Sequence, residues 1–136
     1  MGLKKIGLDT CVFIYHLDKH PTYFENARAY LKQIQNQQVS AVFSAIGLVE
    51  LLTGPNKIGD WMLAVRYRNF FDNLTGLTVQ QTNNTIIEVA SYLRATYNIR
   101  TPDAIHIATA IDFGASTFIT NDKSLTKIEE ISVKLL

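Results

Sequence analysis

The chain has 136 residues, 47% of them hydrophobic and 18% charged, with a net charge of +1. That length suits one domain, 1–136, whose core needs no disulfide, and a charged share below the ~25% usual for globular domains makes every carboxylate inside an apolar stretch conspicuous. The charge balance gives no general electrostatic case for nucleic acid, one cysteine, Cys11, excludes an internal disulfide framework, and no apolar run is long enough to span a membrane.

Met1-Gly2-Leu3-Lys4-Lys5 opens a strand-like run and lacks the pattern of a secretory signal. Gly2 does not signal myristoylation, because Ile6 stands where that motif needs Ser or Thr. With a single thiol, a reducing cytoplasmic location without membrane attachment is expected. Lys4 to Asp9 reads as a buried strand, and Thr10 to Leu17 as a helix capped by Thr10. Pro21 opens a helix to about Gln37, with Phe24, Ala27, Leu31 and Ile34 at helical spacing. Val39 to Phe43 is a second strand, and Ser44 caps a helix over Ala45 to Leu52 that Gly54-Pro55 stops. Asp60 caps a helix to about Leu74, Leu77 to Gln80 is a weak strand, and Thr82 to Tyr97 is a helix. Thr101-Pro102 begins a helix that Gly114 ends. Thr117 to Thr120 is a strand, Lys123 to Ile128 a short helix and Ile131 to Leu135 the last strand. Strands alternate with helices, which predicts an α/β fold: a three-layer α/β/α sandwich with a mostly parallel central sheet. In such sheets ligands bind beyond the carboxyl ends of the strands.

Four acidic residues test that rule. Asp9 ends the first strand and Asp122 follows the Thr117 strand. Glu50 is the only charge in Ala45 to Leu52, and Asp103 sits in the first turn of its helix, with no further charge until Asp112. Each has a bland account. Asp122, with Asn121, could cap the Lys123 helix; Asp103 could complement a helix dipole; Asp9 could be a turn residue. Glu50 resists most, since a carboxylate between Val49 and Leu51 either lies on an exposed stripe or needs a partner. Taken together, four carboxylates meeting at one sheet edge would repel one another unless protonated or neutralised by cations. Their oxygen chemistry suits Mg²⁺ or Mn²⁺ and not zinc, and such a cluster serves phosphodiester hydrolysis.

The strand-Asp-Thr start Ile6-Gly7-Leu8-Asp9-Thr10, Glu50 after Ser44, the run Pro102-Asp103-Ala104-Ile105-His106-Ile107-Ala108-Thr109-Ala110, and Phe118-Ile119-Thr120-Asn121-Asp122 resemble the PIN domain. Within that family the chain looks most like the VapC-type toxins of bacterial toxin–antitoxin pairs. The resemblance covers nearly the whole chain, and its most specific parts are the run from Pro102 and the Thr120-Asn121-Asp122 triplet. It implies a metal-dependent endoribonuclease acting on a structured RNA, using Mg²⁺ or Mn²⁺. Asp9, Glu50, Asp103 and Asp122 match the family's acidic positions, and Thr10 and Asn121 its accompanying polar positions. It further implies a homodimer, held inactive by a cognate antitoxin. The stretch from Gly54 to Gly76 carries no motif of the family.

His106, three residues after Asp103, shares its helical face. It could donate to a carboxylate, but a packed or partly exposed histidine is the preferred reading. His16 and His20 read as surface residues, and Cys11 as a small buried hydrophobe. Trp61, Tyr67, Phe70 and Phe71 share a helix with Arg66 and Arg68. Core aromatics with a solvated arginine face is preferred there over a base-stacking or interface surface. Arg94, Arg100, Lys123 and Lys127 could add positive charge around the acidic site. A dehalogenase-like phosphatase is rejected, since Cys11 stands where a second Asp is needed, and no P-loop or G-x-G-x-x-G sequence exists. The rival of another class is a catalytically silent PIN-like module that binds RNA or protein, whose signature is loss of a site carboxylate. A DNA-directed nuclease of the same chemistry is the enzymatic rival, separable by its response to the 2′-OH.

Overall fold

The computed structural model describes residues 2–136. Five strands, β1 (Lys4–Leu8), β2 (Val39–Ser44), β3 (Leu77–Gln80), β4 (Thr117–Thr120) and β5 (Ser132–Leu135), form one sheet in the order β3-β2-β1-β4-β5. Every pairing in it is parallel. Six α-helices accompany it among the described residues: α1 (Thr10–Leu17), α2 (Phe24–Gln35), α3 (Ala45–Lys57), α4 (Trp61–Asp72), α5 (Asn84–Tyr97) and α6 (Thr101–Phe113). A 3₁₀ turn covers Lys123–Lys127.

Successive side chains on a strand point to opposite faces, and here both faces are buried, as a parallel sheet requires. Ile6, Leu8, Ala41, Phe43 and Ile119 join one core with α1, α2 and Phe71 of α4. Val42 and Phe118 join another with α5, α6 and Leu125. The three layers expected from the sequence are therefore present. Gly7 lets α6 lie on the sheet, because a Cβ there would come within 2.3 Å of the Ala110 Cβ.

Four boundaries differ from expectation. Asp9, not Thr10, caps α1: its side chain accepts from the Thr10 N–H, while the Thr10 hydroxyl is turned to other partners. Helix α2 begins at Phe24, because His20 Nδ1 accepts from the Thr22 and Tyr23 N–H groups and holds Pro21 in a preceding turn. Asn83 caps α5 by accepting from the Ile86 N–H, so that helix starts at Asn84. Most instructively, α3 runs through Gly54-Pro55 to Lys57. Gly47, Leu51 and Pro55 lie four residues apart and are all buried, so one packed stripe outweighs the backbone bond that proline removes. Ser44, Asp60 and Gly114 cap their helices as the sequence predicts.

Candidate active site

β1 and β4 are neighbours, and both end at the same edge of the sheet. Asp9 follows β1 and Asp122 follows β4, so strand adjacency alone brings these two residues to one place. The Asp9 N–H bonds the Ile119 carbonyl at 2.9 Å, extending the ladder one residue beyond β1. Helix α3 leaves the neighbouring strand β2 at the same edge, and Glu50 lies on its second turn. Asp103 lies in the first turn of α6. All four line one open cleft with Thr10, Cys11, Ile14, Tyr15, Arg100, Thr120 and Asn121. The larger cavities of the molecule lie elsewhere, one below the sheet around Ile6 and Tyr30 and one between α5 and α6. The acidic cleft is the smaller but chemically loaded one.

Each carboxylate is held differently. Asp9 Oδ2 accepts from Thr120 Oγ1 at 2.7 Å and Oδ1 from the Thr10 N–H at 2.7 Å. Burial nevertheless pushes its carboxyl above its ordinary range, against the hydrogen bonds that favour the anion. Asp103, 8% exposed, accepts from Arg100 Nε at 3.1 Å. Arg100 is the only cationic residue lining the cleft among the described residues. Its guanidinium is raised first by its bond to Asp103 and its charge, and then by the charges of Asp122 and Glu50. Asp122 caps the 3₁₀ turn, with Oδ1 accepting from the Ser124 N–H at 2.9 Å and its hydroxyl at 2.7 Å. The capping account of Asp122 is thus correct, and it leaves Oδ2 free of protein hydrogen bonds among the described residues.

Glu50 is joined to the interior. Its Oε1 accepts from Thr10 Oγ1 at 3.0 Å and lies 2.7 Å from His106 Nε2. Thr10 Oγ1 and His106 Nε2 are themselves 3.2 Å apart, which closes a triangle. The bond to His106, foremost, draws the Glu50 carboxyl below its ordinary range, so the glutamate is a carboxylate at neutral pH. An ionised acceptor requires a proton on Nε2. The other ring nitrogen, Nδ1, is buried without a partner. A proton there would be a buried unsatisfied donor, at a cost of about 1–3 kcal/mol. His106 is packed, as expected, at 2% exposure, and it is also a donor to a site carboxylate, the reading set second.

Asn121 lines the cleft and donates to the Tyr15 hydroxyl at 3.2 Å. Thr120 joins the two strand-end acids, donating to Asp9 and accepting from the Asp122 N–H at 3.1 Å. The sequence alone assigns Thr120 no role; its place at the end of β4, two residues before Asp122, is the available signal. Cys11 is half-buried at the cleft wall, where burial and then the Asp9 charge push its thiol up to about 12. His16 and His20 lie outside the cleft. His16 is less of a surface residue than expected, with its ring stacked on Phe24. Of the four basic residues proposed around the site, Arg100 alone lines it, while Arg94 turns to the Ile99 carbonyl. On α4, Phe71 is buried, but Trp61, Met62 and Val65 are exposed, so that helix presents more than a solvated arginine face.

The donor set consists of carboxylate oxygens, which fits Mg²⁺ or Mn²⁺ better than zinc. Asp9 gives the structural test: a carboxyl raised by burial is one that a nearby cation would relieve. Among the described residues, no three His, Cys, Asp or Glu side chains stand close enough together to hold a metal as they lie. Asp103 is turned to Arg100, Glu50 to His106 and Asp122 to Ser124. The chemistry of the shared cleft fits a divalent cation, with Glu50 Oε2 and Asp122 Oδ2 free of protein hydrogen bonds among the described residues.

An acidic cleft beyond the carboxyl ends of a five-stranded parallel sheet lies where α/β proteins of this class bind their ligands. The PIN domain family model matches residues 6–131, and the chain belongs to that family. No functionally curated protein matches the chain. Among solved structures, the fold is similar to VapBC2 from Rickettsia felis bound to a DNA fragment from its promoter, at 21% identity and a TM-score of 0.73 over 96% of this chain and 98% of that one. It is similar to DNA-bound VapBC from Salmonella typhimurium, at 19% identity and a TM-score of 0.72 over 98% of both chains. It is also similar to VapC20 from Mycobacterium tuberculosis, a sarcin-ricin loop cleaving toxin, at 17% identity and a TM-score of 0.69 over 93% of this chain and 98% of that one.

Proposed function

We propose that the chain is a divalent-metal-dependent endoribonuclease and the toxin of a toxin–antitoxin pair. One observation carries this reading: Asp9, Glu50, Asp103 and Asp122 line a single cleft beyond the carboxyl ends of the strands. The similarity to a toxin that cleaves the sarcin-ricin loop supports RNA as the substrate, and the VapBC complexes support an antitoxin partner. Homodimerisation and a cytoplasmic location belong to the same proposal. In it, Asp9, Asp103 and Asp122 hold Mg²⁺ or Mn²⁺, and Glu50 holds the cation or the attacking water. A bound cation supplies a Lewis acid for the phosphodiester and an activated water.

The residues of the chain define the rest. Glu50, kept ionised by its interior partners, accepts a hydrogen bond from the attacking water and orients it. Thr120 holds Asp9 in orientation. Arg100 reaches into solvent beside the acids, with its side chain 78% exposed, where it meets the phosphate backbone. Asn121 and Thr10 orient neighbouring groups.

The test sets single-stranded RNA beside single-stranded DNA of the same sequence, in Mn²⁺ and in EDTA. Cleavage of RNA alone, lost in EDTA, is the expected result. Cleavage of both sugars identifies a general nuclease. RNA binding without any cleavage identifies the silent module and refutes the proposal.

A further inference from the structure

Glu50 sits on the exposed side of α3, and its side chain is 42% exposed. A glutamate so placed ordinarily samples several rotamers. Here two buried groups converge on one of its oxygens. Thr10, 3% exposed, and His106, 2% exposed, both donate to Oε1. Oε2 receives no protein hydrogen bond among the described residues.

The histidine is fixed from behind. Its ring stacks on Phe43, with centroids 5.9 Å apart and planes 9° from parallel. Phe43 fits there only because residue 47 is glycine, since a Cβ on Gly47 would lie 2.0 Å from the Phe43 ring. Its Nδ1 is buried without a partner, which leaves Nε2 as the protonated nitrogen. The brace thus joins the start of α1 to the middles of α3 and α6, with Glu50 56 residues along the chain from His106.

We propose that His106 is a positioning residue: as an Nε2–H donor it works with Thr10 to hold Glu50 in one rotamer, with Oε1 anchored inward and Oε2 free for water or cation. It acts in RNA cleavage through Glu50 and does not touch RNA. The proposal rests on the nuclease reading above.

The experiment compares wild type, His106→Leu, His106→Gln, Glu50→Gln and the His106→Leu/Glu50→Gln double variant, on a transcript carrying the site cut in total RNA. His106→Leu is expected to lower kcat about 10–100-fold with little change in KM, as loss of a ligand-orienting partner does. His106→Gln, whose amide reaches the place of Nε2, recovers most of the rate. The double variant is no slower than Glu50→Gln alone. A loss that multiplies fully with that of Glu50→Gln, or a folded His106→Leu variant at full rate, overturns the proposal. If His106→Leu fails to fold by circular dichroism, Thr10→Val removes the other donor and is judged by the same cycle. Long-range proton–nitrogen NMR of the imidazole gives a readout besides activity. The Nε2–H tautomer, with a Nε2 resonance that moves in Glu50→Gln, is expected, and an Nδ1–H tautomer overturns the brace even if RNA is cut. A wild-type chain that cuts no RNA refutes the nuclease reading and the catalytic consequence, while the tautomer still decides the brace.

Discussion

Asp9 and Cys11 stand two residues apart at the cleft, and burial raises the pKa of both. For Asp9 the sign follows from linkage. A carboxyl whose folded pKa exceeds its ordinary value of 3.8 binds more protons when folded, so ionising it lowers stability as pH rises from that value through the folded one. The full penalty is present once the pH lies above the folded value. Asp9→Asn removes the charge and keeps an oxygen to cap α1. In the absence of metal it should melt no lower than wild type while losing cleavage; a markedly lower melting temperature would show that the carboxylate stabilises the fold. Cys11, with its thiol raised to about 12, is protonated at pH 8. Iodoacetamide should therefore label it far more slowly in the folded chain than in urea, and equal rates would contradict the buried environment. The acids at 9, 50, 103 and 122 were legible because each interrupts an apolar run or ends a strand. The Glu50–His106 bond was not, since spacing along a helix relates His106 to Asp103 and carries nothing about a residue 56 positions away.

Helix α3 is the element where local rules and packing diverge. Gly54-Pro55 reads as a stop, yet the helix continues to Lys57 because Pro55 completes the buried stripe begun by Gly47 and Leu51. The same stripe makes Gly47 the tightest of the glycines among the described residues, against the Phe43 ring. Gly47→Ala, although alanine favours helix, should destabilise the protein by about 1–3 kcal/mol through overpacking, read as a lower denaturant midpoint. A stabilised variant would show that Phe43 can move aside freely. Strand and helix order was legible throughout, because short apolar runs alternate with segments of helical spacing. The cap of α1 and the starts of α2 and α5 differ from expectation by one to three residues, where the side chains of Asp9, His20 and Asn83 hold the backbone beside Thr10, Pro21 and Thr82.

At the scale of the whole molecule, the sheet order β3-β2-β1-β4-β5 turns acids far apart in sequence into neighbours. Asp9 and Asp122 meet because β1 pairs with β4, and β2 delivers Glu50 from the other side. The sequence order of strands cannot reveal that arrangement without the family resemblance, which is why spacing alone leaves convergence open. A cleft of four carboxylates with one guanidinium should be stabilised by any cation that neutralises it. Added Mn²⁺ should raise the melting temperature of wild type and should do so much less in Asp103→Asn; an equal rise in both would place the ion elsewhere. The central claim is tested most directly by incubating total RNA with the purified chain in Mg²⁺ or Mn²⁺, beside an EDTA control and the Asp122→Asn variant. Discrete fragments that require metal and vanish in the variant are the predicted result. Intact RNA under every condition, with no divalent ion bound by calorimetry, would contradict it.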